Sequence, residues 1–144
     1  MTTFSAKVDD WARKSEARVD AVRRQSVQEL TEVILTPKAK GGNLRVDTGF
    51  LRSSWLGSTA AMPKANREKP SGDNFDWDSA SYAVTIANWK AGQTFYAGFG
   101  ANYAAAREYG ARGQPADLMV KLGVQRWQQI VEQVAREMRS RAGG

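Results

Sequence analysis

The sequence predicts an α+β domain: long N- and C-terminal helices packed on a small antiparallel β-sheet, with a short helix after the first loop. Two observations carry this. Apolar residues recur at three- and four-residue steps near both ends of the chain, the spacing of one helix face. In the middle they alternate with period two, as along a half-buried strand. At 144 residues the chain supports one hydrophobic core, so residues 1–144 read as a single domain.

In the first third, Phe4, Val8, Trp11, Val19, Val22, Leu30 and Val33 form a thin stripe, with Ser15 and Ser26 at small positions on it. Thr2 or Thr3 can cap the start, and Thr36-Pro37 supplies the stop. A helix of roughly thirty residues spans ~45 Å, more than a compact domain of this size needs, so part of it is expected on a neighbouring subunit. A basic loop, 38–44, leads to a short helix over Thr48–Trp55, capped by Asp47 or Thr48, with Leu51 and Trp55 on one face.

Residues 57–62 offer a weak first strand. Residues 63–80, rich in Pro, Lys, Asn, Ser and Gly, read as a mobile loop. Phe75 and Trp77 stand near its end between Asp76 and Asp78, either as a partner contact or folded back onto the domain. Tyr82, Val84 and Ile86 alternate with small residues, as do Phe95, Ala97 and Phe99, which predicts a hairpin turning near Gly92. A helical turn or two follows over 101–109, ended by Gly110. From Pro115, the residues Val120, Val124, Trp127, Val131, Val134 and Met138 mark a second long helix ending at 141–144.

Composition narrows the function. With no cysteine, the chain lacks disulfides, thiolate nucleophiles and Cys-based zinc sites. With no histidine, it lacks the commonest general base and metal ligand, and the enzyme reading weakens accordingly. No apolar run approaches the ~18 to 20 residues of a membrane span, and the first ten residues lack the pattern of a signal peptide. The expected setting is the cytoplasm. The net charge of +6 suits proximity to nucleic acid, with the excess toward the C-terminal end.

No constellation points to catalysis, a metal or a cofactor. Asp73, Asp76 and Asp78 lack the central Gly and distal Glu of a calcium loop. Glu108, between Arg107 and Tyr109, has no second carboxylate in fixed relation to it. Gly98-Phe99-Gly100 lacks the spacing of a phosphate-binding loop, and Trp11, Trp55 and Trp127 fall on helical apolar faces as anchors.

Two segments carry a family resemblance. Arg45-Val46-Asp47-Thr48-Gly49-Phe50-Leu51-Arg52-Ser53-Ser54-Trp55 resembles the V-D-T-G-x-L-R-x-S segment of head–tail joining, or tail-completion, proteins of long-tailed bacteriophages and prophages. Tyr103-Ala104-Ala105-Ala106-Arg107-Glu108-Tyr109-Gly110 is similar to their downstream Y-A-x-x-x-E-x-G segment. The helix–sheet–helix frame agrees, so the resemblance covers most of the chain; it departs at the polar 63–80 segment and at Tyr109.

The resemblance implies a structural virion protein of the neck, assembled in the host cytoplasm. It implies a closed hexameric ring around the DNA channel, between the capsid connector and the tail terminator or tail tube, with no enzyme activity. On that reading Asp47, Thr48 and Gly49 shape a helix start, and Leu51 and Trp55 anchor it. Arg52 is then free to meet a neighbour, and Tyr103, Arg107, Glu108 and Gly110 lie at a subunit interface, where Glu108 pairs with Arg52 or Arg107 of the adjoining copy. The alternative is a small basic nucleic-acid-binding protein, dimeric through its long helices; a nuclease-like enzyme ranks third.

Overall fold

The computed structural model describes residues 3–141 and has the expected α+β architecture. Thr3 opens the first helix, its Oγ1 accepting the Ala6 N–H at 3.1 Å. Helix α1 then runs over Phe4–Leu35, about 48 Å at 1.5 Å per residue, and stops at the extended Thr36 before Pro37. The alternative cap Thr2 and the expected C-terminal stop at 142–144 lie outside the described residues.

After a 3-10 turn at Lys38–Lys40 come α2 (Phe50–Ser53), β1 (Trp55–Ser58), α3 (Ser79–Ala87) and β2 (Tyr96–Phe99). Then follow α4 (Ala104–Tyr109), α5 (Met119–Val124) and α6 (Trp127–Arg141). β1 and β2 form a two-stranded antiparallel sheet, pairing Trp55 with Phe99 and Ser58 with Tyr96. α3 packs on β1, while α5 and α6 lie along α1.

The core sits where the C-terminal end of α1 meets the sheet. Ile34, Leu35, Leu44, Phe50, Leu51, Trp55, Tyr82, Ile86, Phe99 and Met119 are buried there. Trp55 and Phe99 meet edge to face at 4.8 Å, a geometry favoured by the ring quadrupoles. α5 approaches α1 closely at Gly123, where a Cβ would come within 2.6 Å of Ile34. Two arginines of α1 hold the end of α3 as well. Arg24 donates Nε–H and Nη2–H to the Trp89 carbonyl at 3.2 and 2.7 Å, and the Arg23 guanidinium lies 4.1 Å over the Trp89 ring.

Four expected elements are corrected. The first half of the expected hairpin is α3. Asp78 Oδ1 accepts the Ser81 N–H at 2.9 Å, and Tyr82 and Ile86, one helical turn apart, are the two buried residues, while Val84 faces solvent. Strand β2 therefore pairs with β1, which starts at Trp55 rather than at 57. The short helix ends at Ser53, so Leu51 and Trp55 are both buried but belong to different elements. The C-terminal helix is two helices, α5 and α6, and Pro115 precedes both. The break at 125–126 changes the phase of the stripe: Ile130 and Val134 are buried, while Val124 and Trp127 are exposed.

A buried hydrogen bond joins α1 to α3, with Thr31 Oγ1 and Tyr82 Oη 2.7 Å apart. Tyr82→Phe should cost about 1 kcal/mol at neutral pH. Burial raises the Tyr82 phenol above its ordinary value of 10.0, against a lowering by the Thr31 bond. Above pH ~10 the unfolded chain then holds fewer protons than the folded one, so stability falls as the pH rises. Denaturant melts across that range should show a shallower decline for Tyr82→Phe than for wild type.

Candidate docking site

The two segments that carry the resemblance, far apart in sequence, line one cleft of about 240 Å³. One wall is Arg45 to Arg52, the other is Tyr103 and Arg107, and Lys69 lies at the edge. The first wall is shaped by a turn at Gly49, which has φ 86° and ψ 0° and stands at the N-cap of α2. Thr48 Oγ1 accepts the Phe50 N–H at 3.3 Å, but the helix begins at Phe50 with Gly49 as its N-cap, not at Thr48 with Asp47 or Thr48 as the cap. Asp47 does not cap it; its side chain is exposed on the cleft. Tyr103 is half-buried beside Phe50, ring centroids 6.3 Å apart. Burial lifts its phenol above the ordinary value; Arg107 and a backbone hydrogen bond at Leu51 oppose the rise, and Asp47 adds to it.

Arg52, Arg107, Glu108 and Gly110, expected at a subunit interface, all make contacts within the chain, and of the four only Glu108 is buried. Arg52 is tethered within the chain by one N–H: its Nε–H donates to the Leu35 carbonyl at 3.0 Å, and its guanidinium lies 5.8 Å from the Trp77 ring. Glu108 is buried at 7% exposure. Its two oxygens accept the N–H groups of Val120 and Lys121 at 2.9 and 3.0 Å. It therefore caps α5 from across the chain, satisfying amides at a helix start that has no side-chain cap of its own. Arg107 donates Nη1–H to Gln114 Oε1 at 2.8 Å, and Gly110, φ 85°, packs against the backbone of residues 114–116.

A second buried carboxylate, Asp117, escaped the sequence reading. The Nζ–H of Lys38 and the Nε–H of Arg45 reach its Oδ1 at 3.1 and 2.9 Å. Its N–H also donates to the Arg107 carbonyl at 2.8 Å. The basic loop is thus tied to the approach to α5 through a contact no local pattern announces.

Phe75 and Trp77 fold inward rather than standing out for a partner. Phe75 meets Phe50 edge to face at 5.4 Å, and Trp77 donates its indole N–H to the Trp55 carbonyl at 3.2 Å. The 63–80 segment, expected to be a mobile loop, is exposed over 64–74 and joined to the rest of the chain by backbone bonds at Arg67 and Phe75. Arg67 exchanges backbone hydrogen bonds with Gly100 and Asn102 at 2.8 Å, and Phe75 N–H donates to the Thr48 carbonyl at 2.9 Å. Residues 79 and 80 already belong to α3.

The N-terminal half of α1 has the opposite character. From Phe4 to Val19 no residue is buried, and Phe4, Trp11 and Val19 are 82%, 70% and 66% exposed. Among the described residues no three or more acidic side chains are placed to hold a metal ion, and no helix is long and apolar enough to cross a membrane. No family model, curated protein or solved structure matches the chain.

Proposed function

We propose that the chain is a structural subunit of a bacteriophage neck, a tail-completion or head–tail joining protein. It joins the capsid connector to the tail terminator or tail tube as one copy in a hexameric ring around the DNA channel. The observation that carries this reading is the projecting half of α1. A helix that leaves Phe4, Val8, Trp11 and Val19 in solvent has an apolar stripe fit for a neighbour, which a monomer would expose at a cost in solubility. The two motif segments, and their meeting in one cleft, support the same reading. The net charge of +6 suits a wall around DNA that needs no base readout.

The test is assembly of the phage or prophage that encodes the chain. Particles made without it should appear in electron micrographs as full heads and free tails; intact virions would refute the role. Supplying Trp11→Ser together with Phe4→Ser should restore joining at least tenfold less well than wild type. The isolated variant should keep its melting temperature within about 2 °C, because neither side chain contributes to the core. Normal joining by this variant would remove the α1 stripe from the interface.

A further inference from the structure

We propose that the cleft between residues 45–52 and α4 binds an acidic peptide segment of a partner protein, taking one or two of its carboxylates. Four cations, Arg45, Arg52, Lys69 and Arg107, line the cleft with a single carboxylate, Asp47. Most of this charge is uncompensated. Arg45 shares Asp117 with Lys38. Arg52 and Arg107 donate to a carbonyl and to an amide oxygen, and Lys69 donates to the carbonyls of Pro70 and Gly72. Only the Nε–H of Arg52 is engaged among the described residues, which holds the guanidinium in place and leaves its other N–H groups for a ligand.

Size and surroundings favour a peptide over nucleic acid. A cleft of about 240 Å³ admits a side chain or two, and Phe50 and Tyr103 offer apolar wall to the methylenes that carry a carboxylate. Asp47 is exposed within the cleft. The exposed Asp73, Asp76 and Asp78 flank Phe75, whose backbone is bonded to Thr48 of the cleft wall. A duplex presents one charge per ~1.7 Å of axis, more than a cleft of this size can meet, and would bring phosphates against Asp47 as well as the cations. An acidic side chain brings its charge to one point. Such a site serves any partner that presents the segment, so peptide binding and virion assembly can fail independently.

The experiment is amide NMR titration of the whole chain with the peptide acetyl-Leu-Glu-Glu-Leu-amide, its Gln-for-Glu counterpart, and a short DNA duplex, at about 150 mM salt. The Glu peptide should give saturable shifts at residues 47–52 and 103–107. Lys69→Gln/Arg107→Gln changes side chains that hydrogen-bond only neutral oxygens, Lys69 also lying 5.6 Å over the Phe75 ring. In that double variant binding should weaken at least tenfold, with shifts elsewhere confined to the neighbours of Phe75 and Gln114. Asp47→Asn should bind the Glu peptide at least twofold more tightly, a gain that a purely structural role would not produce. Absence of shifts at millimolar peptide, equal shifts with the Gln peptide, displacement by the duplex, or undiminished affinity in the double variant would each overturn the assignment.

Discussion

Glu108→Ala is expected to lower stability by about 3 kcal/mol, a large share of the ~5 to 15 kcal/mol that holds a domain of this kind together. The variant removes a buried carboxylate that accepts two backbone N–H groups at the start of α5. Each charge-assisted bond of this kind is worth ~1.5 to 3 kcal/mol, and its loss leaves both amides without a partner in a part-buried setting. Glu108→Gln keeps one acceptor oxygen but turns an N–H₂ toward the other amide, so roughly half the loss should remain. The urea midpoint should fall in the order wild type, Gln, Ala. Hydrogen exchange should accelerate first at Val120 and Lys121, the two amides released. An interface role for Glu108 predicts the reverse, an unchanged monomer with impaired assembly, so a Glu108→Ala midpoint equal to wild type would restore that role and refute the cap.

The same residue shows where the sequence was readable and where it was not. Features decided within one helical turn were legible: the Thr3 cap, the Thr36-Pro37 stop and the Gly110 end of α4. The segment Tyr82 to Ile86 was ambiguous because residues four apart satisfy both a two-residue and a helical period. Asp78, with Ser81 three residues on, decided for the helix, and the strand partner then had to come from Trp55–Ser58. Glu108 is beyond local reading altogether: the amides it caps lie twelve and thirteen residues away, and only the return of the chain at Asp117 and Leu118 brings them together. The cleft is similar. Asp47, Arg52, Tyr103 and Arg107 each stood out in sequence, but their convergence, with Lys69 at the edge, depends on the packing of Phe50 between Phe75 and Tyr103.

Gly49→Ala should cost about 3 to 4 kcal/mol, because a positive φ and a backbone collision coincide there, and Gly92→Ala is its internal control. Both glycines have φ 86°, a conformation that costs an L side chain roughly 1 to 2 kcal/mol. A Cβ at Gly92 meets nothing within 4 Å, so its cost should stop there. A Cβ at Gly49 would overlap the Phe75 carbonyl oxygen, and backbone cannot swing aside as a flexible side chain can. Relieving the overlap means moving the 72–78 segment away from α2. That stretches the Phe75 N–H bond to the Thr48 carbonyl and separates the edge-to-face pair of Phe50 and Phe75. The damage should therefore reach the cleft as well as the core, because Thr48, Gly49 and Phe50 form its wall. Urea melts of the two variants, made and measured side by side, separate strain from collision. A Gly49→Ala cost no greater than that of Gly92→Ala would mean that the 72–78 segment yields freely and that its contact with Gly49 does not hold the cleft in shape.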